Sequence, residues 1–356
     1  MKLRILLMAA SLALSVAIGL AVSRSGENNS DSAKNDHIRI GFSMDTLKEA
    51  RWQKDRDIFI AKAEAMGAEV LVQSANSNDT KQMQDVQGLI SRGVDVLVIV
   101  PHDGKAMGKA VDTAAGNGIP VISYDRMITG TENLGLYISF DNVKVGEAQA
   151  QYLVDSVLKE KAKIRIVRIY GSPTDNNAKL FKQGQDNILN PLIKSGSIEV
   201  VHEDWATDWR PEVAKQITNA AITRNGSAFD AILASNDGTA GGAIQALSEE
   251  GLAGKIFVTG QDADLPALQR IVAGTQAMTI YKPISLLAET AAEIAVKMAE
   301  GKPVIARSGV NNGAKEVPSI LVEVSTVTKD NIRQTVVKDG FHSEADIYRN
   351  APADGR

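Results

Sequence analysis

The sequence predicts an α/β fold built on mostly parallel sheets. From His37 onward, short runs of β-branched and other apolar residues alternate with helical stretches. Most of the runs are apolar almost throughout, as strands covered on both faces require. The series also runs twice, which predicts two such units within the 356 residues.

The first series takes its strands from IRIGFS (38–43), VLVQ (70–73), VDVLVIVP (94–101) and PVISY (120–124), and closes near YISFDN (137–142). Gly67 and Gly93 follow its helices where a left-handed C-terminal cap is wanted. After a long helix, a second series begins at Lys163. Its strands are IRIVRIY (164–170), IEVVH (198–202), DAILAS (230–235), KIFVTG (255–260) and AMTIY (277–281). Beyond Tyr281, Ile284, Leu287, Ala288, Ala291, Ala292 and Ala295 fall on one stripe at helical spacing. Nothing near residue 140 has the Pro/Ser-rich character of a flexible tether, so short ordered crossings are expected between the two units.

Composition sets the class of protein. With 44% hydrophobic and 23% charged residues, the chain reads as soluble and globular. A net charge of −4 and the lack of a Lys/Arg cluster after residue 4 argue against a nucleic-acid partner. Cysteine is absent, so disulfides, thiol chemistry and Cys-bound metals are excluded. At the N-terminus, Lys2 and Arg4 precede an apolar stretch from Ile5 to Val22, with Gly19, Ala21 and Ser23 near its end. That is the pattern of an export signal. An uncleaved anchor is the alternative, since 18 apolar residues just span a bilayer. Either reading expects an exported protein, with residues 1–36 as signal and polar linker.

Open parallel sheets bind ligands beyond the carboxyl ends of their strands. The segments in those places are SMDTLKEARW, PHDG, YDRM, GSPTDNN, SNDG, GQDAD and YKP, with Trp52 and Trp209 nearby. Such a set suits a polyol. Each sugar hydroxyl both donates and accepts, so Asp and Asn oxygens beside Arg or Lys nitrogens can bracket neighbouring hydroxyls. An indole ring offers a flat partner for the apolar face of a pyranose. The plainer reading of any single Asp or Asn here is a helix cap or turn.

Other chemistries fit poorly. No GxGxxG follows the first strand, and GxxxxGK[ST] is absent. His37, His102, His202 and His342 are too scattered for a metal site and read as surface or core histidines. Ser43, Ser172 and Ser235 have no GxSxG context. Asp262 and Asp264 are a carboxylate pair only two residues apart. No catalytic constellation, metal or cofactor is expected.

RWQKDRDIF (51–59), VQSAN (72–76), RGVDVLVI (92–99), YDRM (124–127), YISFDN (137–142), SPTDNNAKLF (172–181), SNDGTAGGAIQALS (235–248), GQDAD (260–264) and YKPI (281–284) carry a close resemblance. They resemble the type I periplasmic sugar-binding proteins of ABC importers, in particular those for D-xylose, from Ile38 to about His342. The resemblance implies two Rossmann-like lobes with parallel sheets, joined by a three-strand hinge, with the sugar between them. It places crossings near Phe140–Asn142, near Tyr281–Pro283 and after Asn312. The N-terminal lobe would take 37–141 and 283–312, the C-terminal lobe 142–282 and 313–345, and the tail 346–356. It also implies the ligand contacts, which are Arg51, Asp125 and Arg126 on the first lobe, and Asp175, Asn177, Trp209, Asn236, Asp262 and Lys282 beyond it. Trp52 would only support the wall. The LKEA segment, including the residue before Arg51, departs from the family pattern and leaves the pocket edge open, as does a small insertion in TGTENLG.

The expected function is therefore that of a monomeric periplasmic protein that closes on D-xylose and hands it to an ABC permease. The alternatives are another pentose or a hexose, a sugar sensor for a chemoreceptor or sensor kinase, and a sugar-converting enzyme.

Overall fold

A computed structural model describes residues 37–351. The expected export segment, and residues 352–356 of the expected tail, lie outside the described residues. The first half of the chain folds as β1 (Arg39–Met44), α1 (Ala50–Ala65), β2 (Glu69–Ser74), α2 (Asp79–Ser91), β3 (Val96–Ile99), α3 (Gly108–Gly116), β4 (Val121–Tyr124) and β5 (Leu136–Phe140). Next come α4 (Asn142–Leu153), β6 (Ile164–Tyr170), α5 (Asn176–Lys194), β7 (Ile198–Trp205), α6 (Pro211–Asn225), β8 (Ala231–Ala234), α7 (Asp237–Glu249), β9 (Phe257–Val258) and α8 (Leu265–Val272). The remainder is β10 (Thr279–Tyr281), α9 (Ile284–Ala299), β11 (Ser308–Asn311), β12 (Glu316–Val322), β13 (Ser325–Val327) and α10 (Glu344–Ile347).

A seven-stranded sheet runs in the order β11-β12-β5-β4-β3-β1-β2, and a four-stranded sheet in the order β7-β6-β8-β9. Both are parallel except for the β11–β12 pair. In each, the second strand of its series lies outside the first and the third on the other side, the doubly wound arrangement of two α/β lobes. Apolar clusters cover both faces of the first sheet, around Phe42 with Leu287 and around Leu97 with Val111. Two more cover the second sheet, around Ile232 and around Ile166. This double coverage is why the strands read as unbroken apolar runs.

Local chemistry sets the helix starts. Asn78, Asp141, Asp175 and Asn236 each accept a first-turn backbone N–H on α2, α4, α5 and α7, and Pro211 opens α6. Gly67 and Gly93 adopt φ of 85° and 70° just past α1 and α2. The stripe read in α9 is buried, and α9 packs against α1.

Three features correct the sequence expectation. Residues 316–322 were expected in the second lobe, but β12 pairs in parallel with β5 in the first sheet, Ile320 beside Ile138. The third crossing was expected after Asn312. That residue instead closes the β11–β12 turn, its N–H bonded to Lys315 O at 3.0 Å, and the chain crosses between Val322 and Ser325 to pair β13 with β10. Both errors have one cause: β11 and β12 are weak sequence signals, one an exposed edge strand with Gly309 and the other holding Pro318. The expected tail from residue 346 also begins inside α10, where Ile347 is buried and Gln269 Nε2 donates to Asp346 O at 2.9 Å.

Candidate functional site

One cavity lies where the carboxyl ends of both sheets face each other. Its empty space, counted with the solvent open at its mouth, is about 360 Å³. All nine residues singled out in the sequence line it: Arg51, Asp125, Arg126, Asp175, Asn177, Trp209, Asn236, Asp262 and Lys282. Each is buried. The structure thus brings together side chains separated by more than two hundred residues.

Charges are paired across the lobes. Arg51, in the first turn of α1, donates from Nη2 to Asp125 Oδ2 at 2.7 Å and from Nη1 to Asp262 Oδ1 at 3.3 Å. Its Nε reaches Asp55 at 3.3 Å, one turn along the same helix. Arg126 is held by Asp45 at 2.7 Å and by Asp175, on the other lobe, at 2.9 Å. Lys282, just beyond β10, reaches Asp262 at 3.0 Å. Asn177 Nδ2 donates to the backbone oxygen of Asp125 at 3.0 Å and to its Oδ1 at 3.2 Å.

These pairings set the ionisation of the site. Burial works against the Arg51 charge, yet Asp125, Asp55 and Asp262 together hold its pKa well above the ordinary arginine value. Burial also opposes the Asp125 carboxylate, but Arg51, Lys282 and Arg126 outweigh it and its pKa falls. Burial wins at Asp175, whose pKa rises in spite of Arg126. It also wins at Asp55, which is pushed up to about 6 although Arg51 lies beside it. Asp55 accepts from the Tyr124 hydroxyl as well.

Several of these side chains also serve the backbone, as the plainer reading of Asp and Asn anticipated. Asp175 Oδ1 caps α5 through Asn177 N at 2.8 Å, while its Oδ2 accepts from Trp209 Nε1 at 3.1 Å. Asn236 caps α7 in a reciprocal box with Thr239. Asp125, Trp209 and Asp262 have positive φ of 61°, 57° and 99°. For an indole residue this is strained backbone. Trp209 leans on Gly171, where any Cβ would come within 2.0 Å of the ring.

The cavity also takes in residues outside the nine. Trp52 lines it, with the Arg51 guanidinium 4.1 Å and that of Arg126 5.2 Å from its ring centroid, so it both supports and forms the wall. Glu49, Phe181 and Gln261 complete the lining. Gln261 lay within GQDAD and Phe181 within SPTDNNAKLF, but only the charged and amide neighbours in those blocks drew attention. Glu49 stood in the LKEA stretch that departed from the pattern.

Comparison with known proteins places this geometry. The profile of the periplasmic binding protein domain matches residues 40–303. The D-xylose-binding periplasmic protein of Escherichia coli is 52% identical over 310 residues, which cover 87% of this chain and 92% of that one. Its namesake from Haemophilus influenzae is 50% identical over 319 residues, covering 90% and 95%. A crystal structure of a carbohydrate transporter solute-binding protein from Chloroflexus aurantiacus, in complex with D-glucose, superposes with a TM-score of 0.82 at 33% identity, covering 87% of this chain and 98% of that one.

Proposed function

The chain belongs to the periplasmic binding protein domain family, and from that membership we propose that it is a periplasmic D-xylose-binding protein that delivers its sugar to an ABC permease. The observation that carries this reading is the cavity between the lobes, where paired guanidinium, ammonium, carboxylate and amide groups surround a space for one small polar molecule. The names of the relatives at 52% and 50% identity support xylose as that molecule.

Both lobes bring polar groups, Arg51, Asp125 and Arg126 from the first and the other six of the nine from beyond it. A sugar bound to one half-site leaves hydroxyls unsatisfied, and the second half completes them only when the lobes meet. Ligand binding therefore favours the closed arrangement, and the closed shape is what the permease reads. The reading is of a binder and not an enzyme. The relatives are binding proteins by name, and Asp125, Asp175 and Asp262 are each engaged by a cation, which suits holding a hydroxyl better than moving its proton.

Calorimetric titration with D-xylose, D-ribose, L-arabinose, D-glucose and D-galactose tests the reading. Xylose is expected to bind most tightly. One hydroxymethyl separates it from glucose, so the gap to that hexose should be no more than about 200-fold. Tighter binding of any rival sugar overturns the choice of xylose.

A further inference from the structure

Protein groups already use most of the acceptor oxygens around the cavity. Asp125 Oδ2 takes Arg51 and its Oδ1 takes Asn177. Asp175 Oδ1 takes Asn177 N, and its Oδ2 takes Arg126 and Trp209. Asn177 Oδ1 accepts from Asn142 Nδ2, and Asn236 Oδ1 from Thr239 N. A ligand with several hydroxyl protons to donate needs acceptors beyond these.

Five side-chain oxygens are buried without a hydrogen-bond partner among the described residues, on Asp45, Glu49, Asn142, Asp186 and Gln261, and two of them, Glu49 Oε2 and Gln261 Oε1, belong to residues that line the cavity. Gln261 is only 2% exposed, its Oε1 has no donor, and its side-chain amide makes no hydrogen bond to the described residues. Glu49 Oε2 is likewise buried and unpartnered, while its Oε1 reaches Lys48 at 3.3 Å. Gln261 follows β9 in the second sheet, and Glu49 precedes α1 in the first lobe. A buried polar oxygen without a donor is unfavourable, and native proteins keep few of them. Two in one cavity, approaching from opposite lobes, mark places where the bound molecule supplies the donor.

We propose that Gln261 and Glu49 are further ligand contacts, one from each lobe, that accept hydrogen bonds from sugar hydroxyls and thereby narrow which monosaccharides the cavity takes. The inference rests on the sugar-binding reading above. Its physical basis is the asymmetry of buried polar sites: a sugar with a hydroxyl in reach satisfies the oxygen, whereas an analogue lacking that hydroxyl leaves it unpaired.

The test is calorimetric titration of the parent, Gln261→Leu and Glu49→Gln with D-xylose and its 2-, 3- and 4-deoxy analogues, with the melting temperature of each empty protein as a control for folding. Gln261→Leu should weaken xylose binding about tenfold or more, the cost of one lost hydrogen bond in a dry site, with no fall in melting temperature. Glu49→Gln should weaken it by about fivefold or more, because the charged acceptor is lost. For each variant the penalty should vanish with one particular deoxy analogue, the non-additivity expected of two groups in contact. If the parent binds xylose and both variants bind it within twofold of the parent, or lose the same factor for every analogue, the two contacts are overturned and the sugar reading stands. If the parent binds none of these sugars, the sugar reading itself falls.

Discussion

At the scale of the residue, Asp262 is the carboxylate that Arg51 and Lys282 share. Its Oδ1 receives both Arg51 and Lys282, and its Oδ2 has no protein partner among the described residues. Its positive φ is a strained conformation that Asp tolerates better than most residues. Asp262→Asn keeps the shape and removes the charge that orients two cations. D-Xylose affinity should fall about 100-fold, near the upper end for a charge-assisted hydrogen bond. The empty protein should melt within about 3 °C of the parent, because Arg51 keeps Asp125 and Asp55 as counter-ions and Lys282 keeps the attraction of the Asp125 carboxylate. Titration with a parallel thermal scan checks both; a large fall in melting temperature would assign Asp262 to the fold and not to the ligand. Residue chemistry was the most legible level of the site, since Asp, Asn, Arg and Lys at strand ends stand out in sequence. Gln261 and Glu49 did not stand out, because an unpartnered oxygen becomes visible only when its neighbours are in place.

At the scale of the element, the cavity depends on how closely α4 and α5 approach. Gly146 and Gly184 face one another across that contact: a Cβ on Gly184 would come within 2.0 Å of Val143 O, and one on Gly146 within 2.0 Å of Phe181 O. Phe181 lines the cavity and meets Trp209 edge-on, with ring centroids 6.3 Å apart. Forcing the helices apart therefore moves a cavity wall. Gly184→Ala should destabilise the protein by about 1–3 kcal/mol through overpacking against backbone that cannot yield, and should weaken xylose binding as well. Denaturant unfolding and titration of the same sample check the two effects; an unchanged midpoint would show that the contact is soft. Elements were legible where they alternate strongly. The two glycines were not, because a sequence does not show which helices touch.

At the scale of the whole molecule, the lobes also meet at the rim of the cleft. His102, in the loop after β3, has Nδ1 2.8 Å from Asp79 Oδ1 on its own lobe and Nε2 3.3 Å from Asp208 Oδ1 on the other. Only the imidazolium can donate to both carboxylates at once. Burial works against that charge, but the hydrogen bonds to Asp79 and Asp208, with the nearby Asp45 carboxylate, outweigh it and raise the His102 pKa. Lys48 Nζ donates to Asp208 O at 3.2 Å from the same side. A raised pKa means that this interlobe contact is complete below the ordinary histidine value and is lost as pH rises through the raised one. Xylose should therefore bind a few-fold more tightly at pH 5.5 than at pH 8.5, and His102→Phe should remove most of that difference. Titrations at the two pH values check it; an equal pH dependence in the variant would assign the effect to other groups.

By itself, the sequence determined the α/β class, the alternation of strands and helices, and the polar residues at the strand ends. These are consequences of local hydrophobic period and of side-chain chemistry, which neighbouring residues express without distant partners. The tertiary structure alone decided that β12 returns to the first sheet, that His102 bridges to Asp208, and which cavity oxygens stay unpartnered. Each depends on hydrogen-bond geometry between segments far apart in the chain. An edge strand pairs wherever a partner offers its open groups, and a buried oxygen is satisfied or left free only by what the closed lobes bring beside it.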